Sequence, residues 1–190
     1  MADILACASA MKEYVSDSKG WIVLVLHSLL SPEEQDKVFN STPKGIRKCV
    51  LATNIAESSV TIDGVRFVAD SGRAKEIVWD VTSWTRSLTE FWVSRASANQ
   101  RKGRAGRTGP GICYRMYSEQ VFDTMEQFAS PEVVRSPLEG PILSLKSLGM
   151  RDPRSFPLIT KPPERHIDAA MLSLALLGAT DPCSAAAAAV

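Results

Sequence analysis

The sequence predicts an α/β domain whose parallel strands alternate with helices. Three short apolar segments carry that prediction: Trp21 to Leu26 (WIVLVL), Lys48 to Thr53 (KCVLAT), and Val65 to Val68 following Asp63-Gly64. Brief continuous runs rich in β-branched residues are what strands of a parallel sheet need, because crossover helices bury both of its faces. The length, 190 residues, suits one such domain with a small appendage, since domains typically run to roughly 100–150 residues. With 45% hydrophobic and 23% charged residues the chain has the composition of a globular protein, which excludes disordered and collagen-like classes.

The elements can be justified in order. Ile4, Leu5, Ala8, Met11 and Val15 recur at helical spacing and predict an opening helix closed by Gly20. After the strand WIVLVL, Ser31-Pro32-Glu33-Glu34 supplies a capping serine, a proline at the first helical position and a glutamate three residues past the cap. That combination predicts a helix through Phe39. The strands KCVLAT and Val65 to Val68 follow. From Lys75 to Val93 the pattern changes: Ile77, Val78 and Trp79, then Leu88, Phe91 and Trp92, flank a polar centre from Asp80 to Ser87. Two antiparallel strands and a projecting hairpin with Trp84 near its tip are expected, Trp79 and Trp92 fastening it to its domain.

Ser97 with Gln100 forms a second capping-box pattern and predicts a short helix ended by Gly103, Gly106 and Gly109. Ile112 to Tyr117 is the next strand. From Ser130, the residues Val134, Leu138, Ile142, Leu145 and Leu148 share one helical face up to Gly149, with Pro137 and Pro141 expected to break or kink it. Prolines 153, 157, 162 and 163 mark a linker over 151–163, and Glu164 to Leu177 an amphipathic helix. The expected organisation is a first domain over 1–150, with the hairpin at about 75–93. A linker and the start of a small helical domain occupy 151–180, and a low-complexity tail 181–190.

A formal charge of +1 hides strong clustering: Arg95, Arg101, Lys102, Arg104, Arg107 and Arg115 fall in one stretch without an Asp or Glu. A solvated face is one reading of such a run. Order and spacing support a second. In a helix starting near Ala98, Gln100, Arg104 and Arg107 stand at i, i+4 and i+7 and share a face, while Arg101 and Lys102 point elsewhere. Two guanidinium forks on one face match the oxygens of a polyphosphate. A basic helix paired to acidic neighbours is the structural alternative. Upstream, LATNIAESSVTIDGV runs from a buried strand into a polar turn. There Thr53, Asn54 and Ser59 offer donors to a phosphate backbone, and Glu57, Thr61 and Asp63 can orient water, ribose or the neighbouring loop.

Other chemistries find little support. Cys7, Cys49, Cys113 and Cys183 are scattered without a C-x-x-C pair, and His27 and His166 lie far from them, so no metal site is expected and buried free thiols are the default. His27 reads as a packed or capping residue. No secretory leader is recognised, and no apolar run approaches the roughly 18 residues of a membrane helix. A reducing intracellular compartment, cytoplasmic or nuclear, is expected.

ATNIAESSVTIDG resembles helicase motif V, and QRKGRAGR resembles motif VI of the DEAH-box branch of superfamily 2. The order, the spacing and the intervening hairpin are those of the family, and Leu26 to Ser31 with Asp36 to Phe39 resembles a further family motif. DEAD-box relatives usually carry His where this chain has Gln100, and Ser58 stands where threonine is more frequent. SPEEQDKVF and EFWVSRASANQRKGRAGRTGPG are most similar to the members linked to nonsense-mediated mRNA decay.

The resemblance covers the chain to about Gly178. It implies a second RecA-like lobe, a parallel sheet flanked by helices, with the start of a winged-helix-like domain behind it. In that family Arg104 and Arg107 would be arginine fingers on ATP, Gln100 would position water or the γ-phosphate, and Phe39 would stack on adenine. Thr61 and Asp63 would lie near the ribose and phosphates, and Ser28, Thr53, Asn54 and Ser59 would grip single-stranded RNA by its backbone. A core anchor is the equally open reading of Phe39. The G-x-x-x-x-G-K-[ST] loop and the acidic pair for Mg²⁺ that such a motor requires are absent from the sequence. The implied first lobe would hold the metal, and the strand that opens the family's second lobe would precede Met1. The expectation is therefore part of an ATP-dependent RNA helicase, inactive alone and partnered by the first lobe, the C-terminal domains and RNA, with no membrane. A non-catalytic RNA- or protein-binding module is the alternative.

Overall fold

The computed structural model describes residues 2–16, 20–58, 61–80 and 83–181. They form two compact units, one from the residues up to Ala74 with Phe91–Ala129, the other from Lys75–Glu90 and from Ser130 onward.

In the first unit the helix α1 (Ala2–Ser16) lies against the strands β1 (Trp21–Leu26) and β2 (Arg47–Ala52). These strands run parallel, in register from Trp21 opposite Arg47 to Leu26 opposite Ala52, and Thr53 N donates to Leu26 O at 3.1 Å beyond their ends. The crossover between them carries α2 (Pro32–Asp36), closed by a reciprocal capping box. Ser31 Oγ accepts from Glu34 N at 3.3 Å, and the Glu34 carboxylate accepts from Ser31 N at 3.2 Å. This helix is shorter than the run to Phe39 that the sequence predicts. Past Asp36 the backbone tightens into three-residue turns, Val38 N to Gln35 O and Phe39 N to Asp36 O. The tightening buries Val38 completely and turns Phe39 outward, so the core anchor here is Val38.

The strands β3 (Phe67–Asp70) and β6 (Ile112–Arg115) form a second parallel ladder, Phe67 opposite Ile112 and Asp70 opposite Arg115. Parallel pairing is thus as expected, but among the described residues it falls into two ladders rather than one hydrogen-bonded sheet. The helix α4 (Arg95–Gly103) and the 3₁₀ turn Arg104–Gly106 pack on β3. The cap of α4 is Ser94, whose Oγ accepts from Ser97 N at 3.1 Å, so Ser97 lies inside the first turn rather than capping it. Burial explains the earlier start: Val93, Ala98 and Met125 share a core, and α5 (Glu119–Thr124) adds Val121 and Phe122 to it.

The second unit contains the expected hairpin, built by β4 (Arg73–Asp80) and β5 (Thr85–Trp92). Lys75 meets Glu90 at 3.7 Å and Arg86 sits 5.9 Å over the Trp79 ring, pairs that fit only antiparallel strands. Trp84, at φ 54°, packs edge-on against Trp79 with centroids 6.1 Å apart. Trp79 is thus engaged within the hairpin by Trp84 and Arg86. The predicted helix after Ser130 is broken into α6 (Glu132–Arg135) and α7 (Glu139–Ser147). Ser136 is extended, as a residue preceding proline must be, and Pro141 is tolerated because it falls in the first turn of α7. Glu76 pairs with Arg135, joining hairpin and helix.

Leu138 and Ile142 pack with Ile167, Ala170, Met171 and Leu174 of α8 (Glu164–Leu176) in one apolar cluster. Residues on both sides of 150 thus share a core, and the stretch expected as a linker buries Pro153 and Pro162 within the same unit. The described cysteines also depart from expectation: Cys7 is exposed, while Cys49 and Cys113 are half-buried, with burial pushing both of those thiols up in pKa; Cys183 lies outside the described residues.

Leu26 has no exposed surface at the point where β1 gives way to the functional loops. Replacing it with alanine removes buried methyl groups and leaves a cavity, and Leu26→Ala is expected to cost about 2–5 kcal/mol in urea denaturation.

Candidate functional site

The parallel register brings the carboxyl ends of β1 and β2 side by side, the place where open α/β sheets bind ligands. His27 is buried there, its Nδ1 accepting from Leu29 N at 3.3 Å, which makes it a turn-capping residue. Ser28 is exposed beside it. After β2, Thr53 and Asn54 start the single turn α3 (Ile55–Ser58), Ala56 N donating to Thr53 O and Glu57 N to Asn54 O. Ser28, Thr53 and Asn54 therefore meet at one end of the ladder. Ser59 lies outside the described residues.

A charged network ties α3 to α4 and β3. Asp70, 3% exposed at the end of β3, accepts from Arg101 Nη1 at 2.9 Å, Gly72 N at 3.0 Å and Tyr117 Oη at 2.9 Å. A buried carboxylate demands such donors in place of lost hydration. Arg101 in turn donates from Nε to Glu57 at 3.0 Å, so its fork bridges two carboxylates. Burial works against its charge, but the bonds to Asp70 and Glu57 outweigh burial and raise its pKa. None of this was read from the sequence beyond Arg101 pointing away from Gln100. The available signal was Asp70-Ser71-Gly72 after a strand, an Asx turn with Gly72 at φ 69°.

Arg95 and Arg115 are engaged elsewhere, over the Phe122 ring, and Arg104 and Arg107 lie at the depression. Arg104 donates to the backbone carbonyl of Glu57, and Arg107 to the Thr61 hydroxyl. Burial and the nearby Arg107 charge lower the pKa of Arg104. Gln100, Gly103, Arg104 and Arg107, with Glu57, line an open depression of about 310 Å³. The shared face inferred from helical spacing is thus realised, although the route differs. The helix gives way to a 3₁₀ turn at Arg104, and the turn carries Arg107 to the same side.

Asp63 is exposed in the turn at Gly64, itself at φ 75°, close in sequence to Thr61. Phe39 is 44% exposed and is not among the lining residues. Gly111 allows the chain to pass beneath the arginine turn: a Cβ there would lie 1.9 Å from the Ala105 carbonyl oxygen. Among the described residues no group of three or more His, Cys, Asp or Glu could hold a metal ion, and no helix is long and apolar enough to cross a membrane.

Residues 4–109 match the family model described as the helicase conserved C-terminal domain. The chain is 51% identical over 181 residues to the probable ATP-dependent RNA helicase DHX34 of Mus musculus, covering 95% of this chain and 16% of that protein. It is 49% identical over 160 residues to the probable ATP-dependent RNA helicase DHR1 of Saccharomyces cerevisiae, covering 84% of this chain and 13% of the relative. Among solved structures it resembles the E. coli DExH-box NTPase HrpB, with a TM-score of 0.80 at 33% identity over 92% of this chain and 22% of that one. The chain thus spans a small part of the length of the relatives it matches.

Two outcomes follow from the geometry. Gly111→Ala forces the backbone between Arg104 and Arg107 to move, since the obstructing atoms are main-chain; a loss of about 2 kcal/mol or more is expected in denaturant titrations. Burial, then the bond to Asp70, push the Tyr117 phenol up to about 12 from 10. The folded chain then retains a proton that the unfolded chain releases, so this contribution is complete below pH ~10 and is lost as pH rises through ~12. Stability measured across that window should fall more steeply for the parent chain than for Tyr117→Phe.

Proposed function

Because the chain belongs to the helicase conserved C-terminal domain family and is a DEAH-box RNA helicase segment, we propose that it serves as the second RecA-like lobe of an RNA-stimulated ATPase. In this reading Arg104 and Arg107 face the β- and γ-phosphates of ATP, and Gln100 orients the γ-phosphate or the attacking water. The observation that carries it is the shared depression lined by Gln100, Arg104 and Arg107.

The donor set fits a polyphosphate. Two guanidiniums give planar donors and two positive charges to a group whose transferred oxygens carry spread charge in the transition state. Phe39, exposed, offers a π-face to adenine, and Thr61 and Asp63 lie on the segment that Arg107 touches. The Mg²⁺ that accompanies ATP would be held by acidic residues of a first lobe. When bound, ATP supplies the phosphoryl group and the energy for closing the two lobes.

Ser28, Thr53, Asn54 and Ser59 are the proposed contacts to single-stranded RNA. Hydroxyl and amide groups presented by a strand end read the sugar-phosphate chain rather than base edges, so binding is expected to be independent of sequence. Lobe closure on ATP and opening after hydrolysis would then move the lobes along RNA. A first lobe, further C-terminal domains and RNA are the partners in this reading. The relevant compartment is intracellular.

The test exchanges this chain for the matching segment of the mouse relative and measures RNA-stimulated ATP hydrolysis. The expected outcome is an active chimera in which Arg104→Ala lowers kcat by about 10³ or more, the scale typical of arginine fingers. Unchanged turnover in Arg104→Ala would remove that residue from the phosphate role. An inactive chimera beside an active parent would favour a non-catalytic binding module.

A further inference from the structure

We infer that Asp70 and Arg101 are positioning residues for the phosphate-facing arginines, acting directly on Arg104: Asp70 fixes Arg101, Arg101 holds α3 through Glu57, and α3 carries the Glu57 carbonyl on which Arg104 rests. This rests on the reading of the depression as a polyphosphate site. It adds two residues that touch no ligand in that reading.

The reasoning begins with α3 itself. Four residues make one turn, and an isolated turn has no stability of its own because nucleation fixes several dihedrals for a single hydrogen bond. Something outside α3 must therefore hold it. Arg101 does so at 3.0 Å through Glu57 Oε2, and the same guanidinium is held at 2.9 Å by Asp70 Oδ1 and at 3.2 Å by the Arg73 carbonyl. The bridging side chains are largely withdrawn from water, at 14% exposure for Arg101 and Glu57 and 1% for Asp70. Solvent screening, which leaves surface pairs weak, is correspondingly reduced.

Arg104 leans directly on what Arg101 holds. Arg104 bonds to the backbone carbonyl of Glu57, the residue Arg101 grips, and Arg107 bonds to Thr61, a few residues further along the same segment. A guanidinium bridging two carboxylates constrains direction as well as distance, because its donors are coplanar. A lysine at 101 keeps the charge but has no rigid fork. The α3 segment would then shift, and misplacement on the scale of 1 Å is enough to cost about 100-fold in a site that depends on orientation.

The experiment uses the full 190-residue chain and inorganic tripolyphosphate, with binding measured by titration calorimetry. Arg104→Ala and Arg107→Ala are expected to bind at least tenfold more weakly. Arg101→Lys should weaken binding about tenfold with net charge unchanged. Asp70→Asn should also weaken it, although removing a negative charge near an anion site would by electrostatics alone strengthen binding. Tyr117→Phe removes a different hydrogen bond from Asp70; it should lower the melting temperature and leave binding within twofold, which separates positioning from loss of stability.

If Arg101→Lys, or Asp70→Asn where the lysine variant does not fold, binds within twofold of the parent while Arg104→Ala is weakened, the positioning role is wrong and the polyphosphate reading stands. If Arg104→Ala and Arg107→Ala bind as the parent does, the polyphosphate reading falls and the positioning role falls with it.

Discussion

The first unit is organised around a carboxylate that has lost its water. Asp70 ends β3 almost completely buried, and an unpaired charge in that position would be strongly unfavourable. It is compensated from three directions: the turn to Gly72, the phenol of Tyr117 beyond β6, and Arg101 of α4. A buried pair of this kind is no guarantee of net stability, since desolvating both charges offsets much of their attraction. Its consequence is geometric. Each donor arrives from a separate element, so satisfying one carboxylate fixes where β3, α4 and β6 lie with respect to each other.

Close backbone approach is the second constraint, and it acts on the same region. The chain entering β6 crosses under the 3₁₀ turn at Ala105, and Gly111 is the residue that permits the crossing. Gly72 is similarly confined, since a Cβ there would lie 2.7 Å from the Tyr117 ring, and its φ of 69° suits glycine. Arg73 stacks 3.4 Å over Trp92, which contacts Tyr117 in turn. Small residues let the backbones meet, and large aromatic ones then hold them.

Much of this was legible from residue order. The runs WIVLVL and KCVLAT were legible as strands and do pair in parallel, although of their residues only Leu26 is buried, and Ser31-Pro32 with Glu34 marked a helix start that the structure realises as a full capping box. Gln100, Arg104 and Arg107 were placed together by periodicity alone. What could not be read were features set by tertiary contact. Ser94 caps α4 in preference to Ser97 because Val93 and Ala98 are buried together. The prolines after 150 resemble a linker in sequence, and only the folded chain shows Pro153 and Pro162 to be buried in the second unit. Asp70 looks like any strand-end aspartate, and only its burial reveals that it must find Arg101.

In the proposed reading the network also explains how arginines of one short stretch, Arg101 in α4 and Arg104 and Arg107 just beyond it, come to differ in role. Arg101 is bonded to two carboxylates, partners no phosphate can displace without stranding a buried negative charge. Arg104 and Arg107 donate to a carbonyl and a hydroxyl, and because the donor is charged each such bond is worth about 1.5–3 kcal/mol net. In the proposed reading a phosphate would replace those acceptors with charged oxygens, adding ionic attraction to the hydrogen bond. Burial first, and then the nearby Arg107 charge, lower the pKa of Arg104, and a multiply charged anion between the pair would relieve that repulsion. Identical side chains are thus placed in different surroundings. Two carboxylates lock Arg101 into the frame, while the Glu57 carbonyl and the Thr61 hydroxyl hold Arg104 and Arg107 at the rim of the depression.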